Sequence, residues 1–200
     1  HTRSIAVTGF RRVLFRSDRT MRPILDLKYL NKSIKTRHFK MTTLQGIIPL
    51  FKKGDYMATL DLKDAYLHIP MCKGHRKYLR FVIDKTHYQF KVLDFRVKSA
   101  PRLFTKCLAA VAAHLRRQGI HVYPYLDDWL VKAKSLEKWL KHVRIVMQTV
   151  HRLEFSINHK KSSPLPEQEK VFLGAMLNTD GASIPSPEED RGYCEASLPL

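Results

Sequence analysis

From residue 56 onward the chain alternates short apolar runs with longer amphipathic stretches, each at its own period. In YMATLDLKDAYLHI, Met57, Thr59 and Asp61 alternate with Ala58, Leu60 and Leu62, so a strand begins at Tyr56. Residues 78–83 and 88–93 read as two strands about the polar stretch Asp84-Lys85-Thr86-His87, which predicts a hairpin. Leu103, Phe104, Cys107, Leu108, Val111, Ala112 and Leu115 recur at three and four, forming one helical face. Ser99 can cap that helix, Pro101 suits its first turn, Arg116 and Arg117 suit its last, and Gly119 closes it. Residues 121–132 (HVYPYLDDWLVK) are two apolar runs of strand type, best read as a hairpin with Asp127 and Asp128 at its turn. Ser135 caps a second helix with Leu136, Trp139, Leu140, Val143, Met147 and Val150 on one face, and residues 170–177 read as a last strand. Upstream, residues 21–27 form a short strand that Pro23 keeps near an edge. Thr42 or Thr43 caps a short helix over TLQGIIPLF, ended by Gly54. Strands before and after crossing helices predict an α+β fold, an antiparallel sheet with helices packed on one face.

The 200 residues suffice for one domain, or one compact piece of a larger one, and 44% apolar residues can fill its core. The net charge of +18 points to a polyanionic partner, most simply nucleic acid, with an anionic membrane surface as the alternative. No apolar run approaches the roughly 18 residues of a spanning helix, so no spanning segment is expected, and nucleic acid rather than a membrane is the expected partner. Cys72, Cys107 and Cys194 are too scattered for a disulfide framework or a zinc pair, so no disulfides are expected and a reducing, intracellular setting is. The charge is uneven: residues 1–40 carry a surplus of +9 and residues 162–200 a deficit of −5, so the composition shifts near Ser162. Residues 1–17 show neither periodicity nor the features of a signal peptide. They are similar to a translated sequencing adapter and are expected to stand apart as a non-native segment.

Candidate chemistry lies in the carboxylates. Asp61, Asp127 and Asp128 sit inside apolar strand-like runs, where an unpaired carboxylate is costly and two adjacent ones repel. A divalent cation relieves both penalties. Hard oxygen ligands suit Mg²⁺, which binds one or two carboxylates together with substrate phosphates. A surface turn at Asp127-Asp128 is the plainer alternative, but Tyr125, Leu126, Trp129 and Leu130 are not what a solvated turn needs.

LDLKDAY, SAPRLFTK, YLDD, a Lys-Lys pair and FLG, in that order, resemble the palm motifs A to D and the primer grip of reverse transcriptases. RPILDLKYLNKSI resembles the fingers segment before motif A, so the resemblance covers roughly residues 20–177. It implies a fingers–palm domain over 18–177, with 178–200 a tail or the start of a thumb or connection. YLDDWL with RPILDLKYLN most resembles DIRS-like elements with a tyrosine recombinase, gypsy-type elements being next. The implied activity is RNA-directed DNA synthesis with two Mg²⁺ ions, or Mn²⁺ in their place, on an RNA or DNA template–primer with dNTPs. Asp61, Asp127 and Asp128 would hold the metals, and Lys161, or its neighbour Lys160, would protonate the leaving pyrophosphate. Asp64 and Ala65 would lie along the triphosphate, Tyr66 would exclude a ribose 2′-hydroxyl, Arg22 would clamp phosphate, and Phe95 would stack near the nucleotide. Phe172, Leu173 and Gly174 would form the turn that holds the primer end. The element type implies a cytoplasmic and/or nuclear location.

One segment departs from the pattern. Where these elements usually read LPFGLxSAP, residues 93–101 read LDFRVKSAP, with Asp94 for proline and Arg96 for glycine. Arginine there is expected to fill the space beside the nucleotide or to demand a changed backbone. Two readings follow, a decayed copy with poor activity or an adapted site; decay is the expected one, with a catalytically inactive nucleic-acid-binding remnant as the alternative to a working polymerase.

Overall fold

A computed structural model of the chain describes residues 10–15, 21–83 and 85–180, with side chains for residues 25–82 and 85–180. The chain divides into two compact units, residues 1–39 with 64–104, and residues 40–63 with 105–200. In chain order the elements are β1 (Phe10–Phe15), β2 (Met21–Leu25), α1 (Lys28–Ser33), α2 (Leu44–Ile47), β3 (Tyr56–Lys63), β4 (Arg80–Ile83) and β5 (Thr86–Gln89). There follow α3 (Ala100–Arg117), β6 (His121–Tyr125), β7 (Asp128–Ala133), α4 (Leu136–Arg152), β8 (Ser156–Ile157), β9 (Ser163–Glu167), β10 (Glu169–Phe172) and β11 (Ala175–Asn178).

The second unit is built on an antiparallel five-stranded sheet centred on β3. One edge of β3 pairs with β7, which pairs with β6; the other edge pairs with β8 and β9. The alternation along β3 is explained by two covered faces. Met57, with Leu130 and Tyr123, packs against Ile47, Phe51, Phe172 and Leu177, which come from α2, its sequel and the β10–β11 hairpin. By alternation the opposite face, with Ala58, Leu60, Leu62, Trp129 and Val131 buried, is left to α4, which packs on β3, β7, β8 and β9. Trp139, Val143, Val146 and Val150 are the buried residues of α4. Leu136 and Leu140, expected on that face, are exposed, and Val146 takes their place. The apolar stripe is set by where the sheet lies, and the sequence pattern alone left it wider. Two of the three expected caps are present: the Thr43 Oγ1 accepts from the Gly46 N–H at 3.2 Å, and the Ser135 Oγ from the Lys138 N–H at 3.4 Å.

Within the first unit β1 and β2 form an antiparallel ribbon and β4 and β5 a hairpin. Its core gathers Leu25, Leu27, Leu79, Leu93, Val97 and Ala100.

Several expectations are corrected. The helix over TLQGIIPLF does not run to Gly54: it ends at Ile47, continues as a 3-10 turn over Ile48–Leu50 around Pro49, and Phe51 is extended. Proline lacks the N–H that helix continuation needs. Gly54, at φ 82°, serves the turn into β3 instead. The hairpin turn is tighter than Asp84–His87, since Ile83 already pairs with Thr86. Lys85 bends the chain with φ 65°. Residues 170–177 are not one strand but a hairpin, because Leu173 and Gly174 at φ 52° and 80° turn β10 back into β11. Phe10–Phe15, for which no element was expected, pairs with β2. The rest of residues 1–17, and 181–200 of the tail with Cys194, lie outside the described residues. Cys72 and Cys107 are exposed thiols. Among the described residues no helix is long and apolar enough to cross a membrane.

One buried ion pair closes the lower end of the sheet. The Lys132 Nζ on β7 donates to Asp55 Oδ2 at 2.6 Å and to the Leu50 carbonyl, and lies 5.0 Å from the Phe51 ring centre. Thr179, just past β11, donates its hydroxyl to the Asp55 carbonyl at 2.6 Å, and its own carbonyl accepts from the Gly54 N–H at 2.8 Å. Asp55→Ala therefore strands a buried ammonium and lowers stability by about 3–5 kcal/mol. Pairing it with Lys132→Met, which removes both charges, returns most of that loss. Urea unfolding measures both variants, and an unshifted midpoint for Asp55→Ala would show that the pair is not holding the sheet.

Candidate active site

Asp61 stands near the end of β3 and Asp128 opens β7, and the two are direct partners in the antiparallel register. Period-two alternation puts both on the face that carries Met57 and Leu130. That face is filled by Ile47, Phe51, Phe172 and Leu177 further down. The β6–β7 connection is a two-residue turn, Leu126-Asp127, with Tyr125 paired to Asp128. Leu126 takes φ 50°, a conformation that favours glycine and is strained for a branched side chain. The sequence placed both aspartates at the turn; only Asp127 is there, and Asp128 already belongs to the strand. Asp127 stays beside Asp61 because its carbonyl accepts the Leu62 N–H at 2.9 Å.

Two residues that sequence reasoning missed hold this corner. The Asp61 N–H donates to Ser162 Oγ at 2.9 Å, and the Asp61 carbonyl accepts the Asn158 N–H at 2.8 Å. Asn158 also begins the turn carrying Lys160 and Lys161, its carbonyl accepting from the Lys161 and Ser162 N–H groups at 3.1 and 2.9 Å. The Asn and Ser around the lysine pair are turn formers, the only local signal available.

The electrostatics follow from this crowding. The Asp128 carboxyl is pushed above its ordinary range by burial, then by the charges of Asp127 and Asp61, with Lys161 pulling the other way. Because the residue is still exposed to water, the two like charges are the firmer cause. Lys161, rather than Lys160, is the lysine that Asp128 feels. Among the described residues no three His, Cys, Asp or Glu side chains already close around one point at ligand spacing. The donors nevertheless suit a hard divalent cation in kind: carboxylate oxygens only, on neighbouring backbone, with a repulsion that a cation removes.

Phe172 is buried in the cluster beneath this face, and Leu173 packs on it. With both central residues of the turn at positive φ, the β10–β11 connection is of the type that usually takes Asn-Gly. At Gly174 an added Cβ would meet nothing within 4 Å, so its backbone, not space, asks for glycine.

The remaining predicted residues lie in the first unit. Asp64 takes the left-handed conformation, φ 48° and ψ 37°, which aspartate tolerates. Its carbonyl accepts from the Leu67 N–H at 2.8 Å, and His68 Nδ1 lies 3.3 Å away. Ala65 is buried. The Tyr66 ring stacks on Phe104 with centres 4.6 Å apart and planes 28° from parallel. The Phe95 ring lies under the Arg96 guanidinium at 5.6 Å. Arg22 pairs through its backbone with Leu14 in the β1–β2 ribbon, and its side chain lies outside the described residues.

The fold is similar to that of solved reverse transcriptases. The foamy viral protease–reverse transcriptase in complex with double-stranded DNA aligns with a TM-score of 0.73 at 23% identity, over 88% of this chain and 30% of that one. The prototype foamy virus protease–reverse transcriptase aligns at 0.70 and 21%, over 84% and 22%. Residues 16–177 match the family described as reverse transcriptase (RNA-dependent DNA polymerase), and the chain belongs to that family. Among curated proteins it is 27% identical over 162 residues to the transposon Tf2-3 polyprotein of Schizosaccharomyces pombe, and 26% to the Tf2-7 polyprotein. These alignments span 81% of this chain and 12% of each polyprotein.

The raised Asp128 carboxyl predicts a pH-dependent stability. The folded chain holds this proton more tightly than the unfolded one. Stability is therefore lost as pH rises from the unfolded value of 3.8 through the raised folded one. Asp128→Asn removes the repulsion, so it raises the thermal midpoint at neutral pH and loses that advantage below the unfolded value. Melting curves across pH without divalent ions test this; an advantage independent of pH would contradict it.

Proposed function

We propose that the chain is the fingers–palm part of a retrotransposon's RNA-directed DNA polymerase. It adds dNTPs to a primer on an RNA or DNA template by phosphoryl transfer with two Mg²⁺ ions, or Mn²⁺ in their place. The observation that carries this is the pairing of Asp61 with Asp128, with Asp127 beside them, in a chain of the reverse transcriptase family. The transposon polyproteins among its relatives support the element type. YLDDWL together with RPILDLKYLN supports the DIRS-like lineage, gypsy-type next. Solved neighbours hold double-stranded DNA and an RNA/DNA hybrid, which supports a template–primer as partner. A cytoplasmic and/or nuclear location goes with the proposed element type.

Asp61, Asp127 and Asp128 hold the cations, which supply Lewis-acid stabilisation of the attacking and leaving oxygens when bound. Lys161, the cation Asp128 feels, gives its proton to the leaving pyrophosphate. Asp64 and Ala65 line the triphosphate with backbone N–H groups, and Arg22 clamps it with a guanidinium suited to paired phosphate oxygens. Tyr66, its ring fixed against Phe104, leaves no room for a 2′-hydroxyl. Phe95 stacks near the nucleotide. Phe172, Leu173 and Gly174 seat the primer end on the sheet. A second reading, a catalytically inactive nucleic-acid-binding remnant, is favoured by Asp94 and Arg96, which depart from the motif that the segment 93–101 otherwise resembles.

Asp127→Asn lowers primer extension by about 10³-fold, the loss of roughly 4 kcal/mol of charge stabilisation, and leaves duplex binding within about twofold. Equal extension by wild type and variant overturns the polymerase reading. A wild-type chain that binds duplex yet extends no primer with either metal favours the remnant. Tyr66→Val raises incorporation of ribonucleotides relative to dNTPs by about tenfold or more in the same assay. Undiminished discrimination would take the gate away from Tyr66.

A further inference from the structure

We infer that Arg96 is a contact for the sugar-phosphate backbone of the template–primer, presented by a loop that Asp94 and Asn31 brace. The inference rests on the polymerase reading and concerns the segment that departs from the motif it resembles.

Arg96 does not occupy a glycine conformation. It lies outside the left-handed region, so its backbone is one that any residue adopts. The changed backbone is held by side chains on both sides of residue 96. Asp94 is only 2% exposed, and its Oδ1 accepts the Arg96 N–H at 2.8 Å. The Asp94 carbonyl accepts the Val97 N–H at 3.1 Å, closing the turn. On α1, Asn31 uses both ends of its amide: Nδ2 donates to the Arg96 carbonyl at 2.9 Å, and Oδ1 accepts the Lys98 N–H at 2.8 Å. Desolvating a carboxylate is expensive unless it gains strong partners, so this brace is not what random substitution at a surface loop produces.

The brace fixes what the loop displays. The Arg96 guanidinium lies over the Phe95 ring at 5.6 Å and donates through Nη1 to the Leu25 carbonyl at 3.4 Å. Arg96 stays exposed. A guanidinium has five donors in a fixed fork, and stacking on a ring holds its plane. Fixed in advance, it loses little freedom on meeting a phosphate. Lys28, Lys32 and Lys98 on the same two braced segments are exposed as well. The two acids there are already engaged, Asp26 with the Lys28 N–H and Asp94 in the brace. A cationic surface with its acids turned inward fits a run of strand phosphates.

The test uses the whole chain and a fluorescent primer–template duplex, with anisotropy read over a range of KCl without divalent ions or dNTPs. Arg96→Ala weakens binding by about 3–10-fold and lowers the slope of log K against log salt by about 1. Asp94→Asn, which keeps an acceptor oxygen, binds like wild type. Asp94→Ala reproduces the Arg96→Ala loss, and the double variant loses no more than Arg96→Ala alone. If Asp94→Ala fails to fold by circular dichroism, Asn31→Ala takes its place in that cycle. An unchanged slope for Arg96→Ala overturns the contact, and additive losses overturn the brace. A wild-type chain that holds no duplex overturns this inference together with the polymerase reading. Duplex binding indifferent to Arg96 overturns this inference alone.

Discussion

The site depends on the register between β3 and β7. Side chains alternate along a strand, so a slip of one residue would carry Asp61 from the face it shares with Met57 to the face packed on α4. The register is pinned at both ends. At one end the two-residue turn Leu126-Asp127 fixes which residue of β7 comes first, and the Leu62 N–H to Asp127 carbonyl bond ties that turn to β3. At the other, Lys132 reaches Asp55 just before β3 begins. Lys132 lies four positions after Asp128, about 13 Å along a strand. A stable ion pair below and a repelling carboxylate group above thus share one face, and the first supplies rigidity that the second needs.

Repulsion between carboxylates is otherwise a fault in a fold. Here it persists because the surrounding backbone over-determines it: Asp61 is hydrogen-bonded on both sides, to Ser162 and Asn158. Of the five non-glycine residues at positive φ among the described residues, Asp64, Leu126 and Leu173 sit at or beside a residue with a proposed role, while Lys85 and Glu154 do not. Such conformations cost of order 1–3 kcal/mol each and survive only where packing enforces them. Phe172 and Leu173 meet that condition, the first buried in the core cluster and the second packed against it.

What could be read from the sequence was whatever has a period or a local signature. β3, the β6–β7 hairpin, α3 and α4 repeat at two or at three and four, and Thr43 and Ser135 announce the helices they cap. The three aspartates stood out because apolar strands do not otherwise carry them. What was missed has no local code. The Asp61–Ser162 bond spans 101 positions. The two-residue strand β8 is too short for any period. Leu173 turns the chain although leucine is not a turn former, so the Phe172–Gly174 turn came from the motif resemblance and the strand reading ran through it.

The loop at Asp94 and Arg96 shows how a departure from a motif can be told from damage. Neutral decay should leave buried polar groups unpaired and backbone in conformations its residues cannot hold. Around residue 96 the reverse is found. The buried carboxylate accepts the Arg96 N–H, Asn31 bonds the Arg96 carbonyl and the Lys98 N–H, and the arginine needs no left-handed φ. Among the described residues, the buried side-chain atoms left without partners, Thr105 Oγ1, Trp129 Nε1, Trp139 Nε1 and His142 Nδ1, belong to the other unit. A proline-to-aspartate change would by itself bury a charge, and a glycine-to-arginine change would by itself crowd a loop. Together, with Asn31, they make a consistent local structure in which each change supplies what the other needs.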